Sequence, residues 1–202
     1  MLDLATVATA FAVILPVELP DKTFIATLVL STRLRPLFVW IGVASAFAVH
    51  TAIAVLAGGL LTLLPRTPIL LAAAALFAVG AVLLWRQASS AQDAESAERE
   101  EIDAKLARYS DIRGFKAVGV SFAVLMLAEW GDLSQLFTAG LAARSGEPLS
   151  VFVGAWSALA LVSGLAAALG RVLLARMPIH LIQRIAAGIC ALLAVLTLIE
   201  VF

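Results

Sequence analysis

The chain has 202 residues, of which 62% are hydrophobic and 14% charged, with a mean hydropathy of +1.04. A soluble domain is about 45–50% apolar and about 25% charged, so this composition excludes an ordinary water-soluble fold and predicts an all-α integral membrane protein. Fourteen basic residues balance fourteen acidic ones, which leaves no general electrostatic case for nucleic-acid binding, and the single Cys190 excludes a disulfide framework or a thiolate metal site.

A helix crossing a bilayer needs about 20 largely apolar residues, and six stretches qualify: approximately Leu4–Leu30, Leu37–Leu64, Ile69–Trp85, Ala117–Ala143, Leu149–Leu174 and Ile179–Val201. Met1–Thr9 carries Asp3 and no basic residue, unlike the positive start of a secretory leader, so the first stretch is expected to remain as a span. The breaks fall at Arg33–Pro36, Pro65–Pro68, Arg144–Pro148 and Arg176–Pro178. Proline cannot continue a helix, and arginine favours the membrane interface. Several stretches exceed the bilayer thickness, so tilted or interrupted helices are expected.

Eleven of the fourteen basic residues fall in or near the three loops that share one side, whereas only Arg66 and Arg144 fall in the loops opposite; Lys22 lies well within a span. The positive-inside rule then places both termini outside the cytoplasm. The polar middle, residues 87–116, separates a first three-span unit (1–86) from a second (117–202). Within it Ile102, Leu106 and Tyr109 recur at helical spacing and Glu101 precedes Lys105 by four, which predicts a short amphipathic cytoplasmic helix linking the halves.

The halves repeat one another. Glu18-Leu-Pro-Asp21-Lys-Thr23 matches Glu129-Trp-Gly-Asp132-Leu-Ser134, and one residue later in register Trp40-Ile-Gly42-Val-Ala-Ser45-Ala46 matches Phe152-Val-Gly154-Ala-Trp-Ser157-Ala158. Because each half has three spans, the second enters the membrane from the opposite side, which predicts two inverted three-helix repeats with broken motif helices and a site near the midplane. Gly42/Ala46, Ala54/Gly58, Gly154/Ala158 and Ala166/Gly170 are small residues four apart, suited to close helix–helix approach.

Glu18, Asp21, Glu129 and Asp132 lie among apolar residues, each pair three apart on one helix face. An acid near the bilayer centre costs roughly 2.5–3.5 kcal/mol. Four would therefore approach the stability of a whole domain unless they face a cavity, share protons or bind cations. Lys22 alone cannot neutralise them. Pro16 and Pro20 release backbone carbonyls in the first half and Gly131 weakens the helix in the second, while Thr23, Ser134 and Gln135 add neutral oxygens. Carboxylates, hydroxyls and carbonyls suit hard divalent ions such as Ca²⁺ or Mn²⁺. Crowded acids take up protons when the metal leaves, so a site alternating between M²⁺ and H⁺ and facing each side in turn is an antiporter.

Two E-x-G-D-[KR]-[TS]-type motifs, one in each half of a small six-span chain, resemble the Gdt-one family of cation exchangers. The resemblance covers essentially the whole chain and implies transport of Mn²⁺ and/or Ca²⁺ coupled to protons. It implies that Glu18, Asp21, Glu129 and Asp132 form the cation and proton site, supported by Thr23, Ser134 and Gln135. The chain departs from the pattern at Pro20, where the motif has glycine, and at Leu133, where it has a basic residue.

His50 reads as a packed, hydrogen-bonded histidine ahead of a proton relay, and His180 as an interfacial one. Trp40, Trp85 and Phe152 read as interface anchors, and Trp130 either walls the cavity or simply packs. Two rival functions are weaker. An intramembrane aspartyl protease lacks its G-x-G-D context at Asp21 and Asp132, and an exporter of small organic solutes does not account for four clustered acids. The expected protein is thus no enzyme and carries no resident cofactor; it has ions and lipid as partners, and a homo-oligomer is compatible with it. A multi-pass location in a bacterial plasma membrane, with metal leaving the cytoplasm, is the simplest setting.

Overall fold

The computed structural model describes residues 2–19, 22–61, 65–87, 114–176 and 179–200, apart from the side chains of Lys22, Arg33, Arg66, Gln87 and residues 169–183. The predicted cytoplasmic helix, Asp21 and the side chain of His180 lie outside the described residues. Eight helices form among those described: α1 (Leu4–Glu18), α2 (Lys22–Arg33), α3 (Pro36–Leu61), α4 (Arg66–Gln87), α5 (Phe115–Ala128), α6 (Leu133–Ser145), α7 (Pro148–Arg176) and α8 (Ile179–Ile199).

The first and fourth expected spans are each broken in two. α1 and α2 meet at 69°, and α5 and α6 at 75°. Among the described residues, helices α3, α4 and α7 are each long and apolar enough to cross a membrane, and the two bent pairs bring the candidate spans to as many as five. The sixth expectation falls on α8, a helix of 21 residues, of which Arg184–Ile199 is the apolar stretch among the residues described with side chains. The order is therefore the same in both halves: a bent pair, a long helix, a shorter helix.

The helix boundaries follow from local chemistry. Asp3 caps α1, its carboxylate accepting the amides of Ala5 and Thr6, and α1 then runs through Pro16 to Glu18. α6 stops where Gly146 adopts φ +67° and its amide bonds the Ala142 carbonyl at 3.1 Å, a left-handed cap suited to glycine.

Packing is exchanged between the halves. α1 lies on α7 and α5 on α3, α4 lies on α8, and α3 and α7 cross one another. The closest approaches occur at matched glycines. A Cβ on Gly42 would sit 2.4 Å from the Val118 carbonyl oxygen and 2.9 Å from Ser121 Cβ; on Gly154 it would sit 2.3 Å from the Val7 carbonyl oxygen and 2.9 Å from Ala10 Cβ. Val7 and Val118, and Ala10 and Ser121, stand at the same register before Glu18 and Glu129, so the two contacts are copies of each other. Side chains such as Leu56, Leu60, Val79, Leu127 and Leu192 stay more than half exposed, an outer apolar surface expected of a lipid-facing protein.

Two indoles tie α3 to α7. Trp40 Nε1 donates to the Ala160 carbonyl at 2.9 Å and Trp156 Nε1 to the Ala44 carbonyl at 3.0 Å. Trp40 thus also ties one helix to another, a contact beyond the interface role expected for it. Trp85, at the end of α4, stays exposed with the Arg184 guanidinium 5.6 Å from its ring centroid.

Candidate cation site

The second motif forms the break between α5 and α6. Glu129 caps the end of α5, its amide bonding the Leu125 carbonyl at 3.1 Å, and is 4% exposed. The chain then reverses through Gly131 at φ +79°, a left-handed conformation that glycine adopts without steric cost. Asp132 opens α6 as its N-cap, its carboxylate accepting the amides of Ser134 and Gln135, each at 3.2 Å, as well as the Ser134 hydroxyl. In this conformation Asp132 and Ser134 are therefore bonded to one another at the helix start, where the dipole also favours a negative charge.

Gln135 closes the turn from the other side. Its Nε2 donates to the Glu129 carbonyl, and its Oε1 accepts the Gly131 amide at 3.4 Å. The same Nε2 lies 2.9 Å from Nδ1 of His50, on α3. His50 is 2% exposed, and its ring meets Trp130 edge-on at 5.9 Å. The packed, hydrogen-bonded reading of His50 holds, and its partner is a motif residue. Trp130 itself remains 67% exposed, so it covers His50 on one side only.

In the first motif, Glu18 is the last residue of α1 and is fully buried. Leu19 follows in an extended conformation (φ −87°, ψ +119°), the geometry imposed on a residue preceding proline. Thr23 and Thr27, one turn apart on α2, are buried, and their hydroxyls meet no hydrogen-bond partner among the described residues. Their counterparts in α6 are engaged: Ser134 bonds Asp132, and Thr138 bonds the Ser134 carbonyl at 2.7 Å. A buried hydroxyl left unbonded costs about 1–3 kcal/mol, so Thr23 and Thr27 are oxygens available to an incoming partner.

The structure brings Glu129, Asp132, Ser134 and Gln135 together in one turn, and Glu18 and Thr23 on either side of the other. The broken units also touch, α1 against α6 and α2 against α5. Among the described residues no three His, Cys, Asp or Glu side chains are placed to hold a metal ion together; the fourth carboxylate, Asp21, lies outside those residues. The reach of Gln135 to His50 was not foreseen from sequence. Its only signal was a lone histidine, His50, inside an apolar span.

A family model described as divalent cation/proton antiporter GDT1 matches residues 6–92 and 117–202, on either side of the charged middle. A GDT1-like protein of Synechocystis is 35% identical over 134 residues, covering 63% of this chain and 65% of the relative. A chloroplastic GDT1-like protein 1 of indica rice is 28% identical over 211 residues, covering 96% of this chain and 62% of the relative. The chain thus spans just under two thirds of the length of these relatives, and no solved structure matches it. With the family matched across both bent helix pairs and both acidic motifs, the chain belongs to the GDT1 family of divalent cation/proton antiporters.

Proposed function

We propose that this chain exchanges a divalent cation, Mn²⁺ and/or Ca²⁺, for protons across a membrane. In this reading six spans form two inverted three-helix repeats, and Glu18, Asp21, Glu129 and Asp132 provide the cation and proton site. Thr23, Ser134 and Gln135 support it. The observation that carries the proposal is the paired break: each half interrupts a membrane helix beside a buried glutamate, Glu18 or Glu129. The matched approaches of Gly42 and Gly154 support the repeat.

A buried carboxylate at membrane depth must carry a proton or meet a cation. Exchange follows from that constraint. When the ion enters, it takes oxygens from the carboxylates, from freed backbone carbonyls and from hydroxyls such as that of Thr23, and the carboxylates release their protons. When it leaves, they reload with protons from the side then exposed. Two broken helices packed against long unbroken partners allow one unit to shift against the other around such a site. The ions are cargo rather than resident cofactors. Inward proton flow would drive metal out of the cytoplasm, with both termini on the outer face of a bacterial plasma membrane.

The test is ion flux in proteoliposomes under an imposed pH gradient. Mn²⁺ or Ca²⁺ should move opposite to protons, and Asp132→Asn should abolish the movement, because an amide cannot exchange charge with the ion. Flux that ignores the pH gradient, or persists in that variant, would refute the exchange mechanism.

A further inference from the structure

The second motif contains a clamp that the first does not. The identity of the Gln135 amide nitrogen is settled by its environment: it faces the Glu129 carbonyl oxygen, and an oxygen placed there would meet another oxygen. An amide nitrogen only donates. His50 Nδ1, 2.9 Å away, must therefore accept, which puts the imidazole proton on Nε2. Both amide hydrogens of Gln135 are thereby used, one on the Glu129 carbonyl and one on His50, while its oxygen holds the Gly131 amide.

The repeat shows what this arrangement replaces. In the first half the position matching Gln135 is Phe24, and the position matching His50 is Val162. Phe24 and Val162 pack together with Ala166 in one small apolar cluster, 2% and 1% exposed. One motif is thus braced by hydrocarbon contact and the other by a directed hydrogen bond from α3.

We infer that His50 is a positioning residue of the cation site: through Nδ1 it orients the Gln135 amide, and through Gln135 it holds the Glu129–Gly131 turn in the form that presents Glu129. It acts by geometry and needs no change of protonation. Gln135, with both ends of its amide engaged in the turn, is in this account a brace of the site. Preorganising a turn before the ion arrives removes an ordering cost from binding, so loss of the brace should weaken cation affinity more than maximal rate.

The test compares His50→Val with His50→Asn in the full chain reconstituted in nanodiscs and proteoliposomes. Asparagine places an oxygen near the position of Nδ1 and keeps the acceptor; valine removes it. Hydrogen exchange of the 129–136 segment reads the brace without any transport. It should quicken in His50→Val and stay at the wild-type rate in His50→Asn. The flux arm rests on the exchange function proposed above: the half-saturating Mn²⁺ concentration should rise about tenfold in His50→Val, as expected for a buried amide left unpaired. Maximal rate should stay within about twofold, and His50→Asn should restore affinity. If His50→Val does not fold, His50→Leu, closer to the imidazole in volume and equally without an acceptor, replaces it and should show the same faster exchange. Unchanged exchange in the valine or leucine variant, or equal loss in His50→Asn, would overturn the inference. Failure of the wild-type protein to move ions would instead count against the function, leaving the exchange data to decide the brace.

Discussion

The two broken helices reach the same bend by different chemistry. In the first, Leu19 is drawn into an extended conformation ahead of Pro20, and α1 keeps Glu18 inside its last turn. In the second, the helix ends one position earlier relative to the motif, so that Glu129 becomes the cap, and Gly131 turns the chain at φ +79°. Proline ends a helix by lacking an N–H and by restricting its predecessor; glycine ends one by entering a region closed to other residues. The first motif is braced by Phe24 and Val162, the second by Gln135 and His50. Repeats can therefore share an architecture while differing in what makes each break rigid. A glycine turn has more conformational freedom than a proline-bounded one, and it is the glycine turn that carries the polar brace.

The harshest way to break this comparison is to exchange the punctuation. Gly131→Pro would copy the residue of the first half, but a proline ring cannot reach φ +79°, and the amide that bonds Gln135 Oε1 would be lost. We expect a loss of about 3 kcal/mol, read as a lower unfolding temperature of the purified protein, with ion uptake near background. Gly131→Ala keeps the amide and meets nothing within 4 Å, so its cost should be only the left-handed penalty of about 1–2 kcal/mol. Wild-type stability in Gly131→Pro would show that the two breaks are interchangeable after all.

A milder pair of substitutions sharpens the likeness instead of the difference. Gly42→Ala and Gly154→Ala each press a methyl group against a helix carbonyl, that of Val118 or Val7. Each should destabilise the protein by about 1–3 kcal/mol through overpacking, and by similar amounts if the α3–α5 and α7–α1 contacts are true copies. Gly119, with open space around its Cβ position, is the control: Gly119→Ala should be neutral or slightly stabilising in thermal unfolding. Strongly unequal effects at Gly42 and Gly154 would dissolve the equivalence.

Much of this was legible in the chain, and the reasons are physical. The apolar runs are long because hydrocarbon must cover a bilayer, and they are punctuated by Pro36, Pro68 and Pro148, each in the first turn of a helix where proline is tolerated, and by neighbouring arginines that a bilayer core excludes. The breaks at Pro20 and Gly131 could be located for the same reason, as could the close approaches at Gly42, Gly58 and Gly154. The size of the bends could not, because a missing hydrogen bond permits a kink without setting its angle. Nor could the contact between His50 and Gln135, which exists only because α3 packs on α6. The tie made by Trp40 was not legible for a related reason: proximity to a span end suggests an interface role and says nothing of the crossing of α3 with α7, which offers its indole the Ala160 carbonyl.

The smallest expected effect lies at the outer ends of the same two units. α1 begins at Asp3, and α5 begins at the matching position with Gly114, which has φ +65° and no side chain to cap the helix. The Thr6 hydroxyl, together with the amides of Thr6 and Ala5, holds the Asp3 carboxyl below the usual carboxylate range. A carboxyl lowered in the folded state stabilises the fold above its unfolded value, and that contribution fades as the pH falls through the lowered one. Acidification should therefore loosen the first turn of α1, seen as faster exchange of the Ala5 and Thr6 amides relative to their intrinsic rates, and leave the first turn of α5 unchanged. Asp3→Asn, which can still cap but cannot titrate in this range, should remove the pH dependence of α1. If both helix starts respond alike to acid, the difference in their caps is not what governs them, and the asymmetry between the two units is confined to the motif breaks themselves.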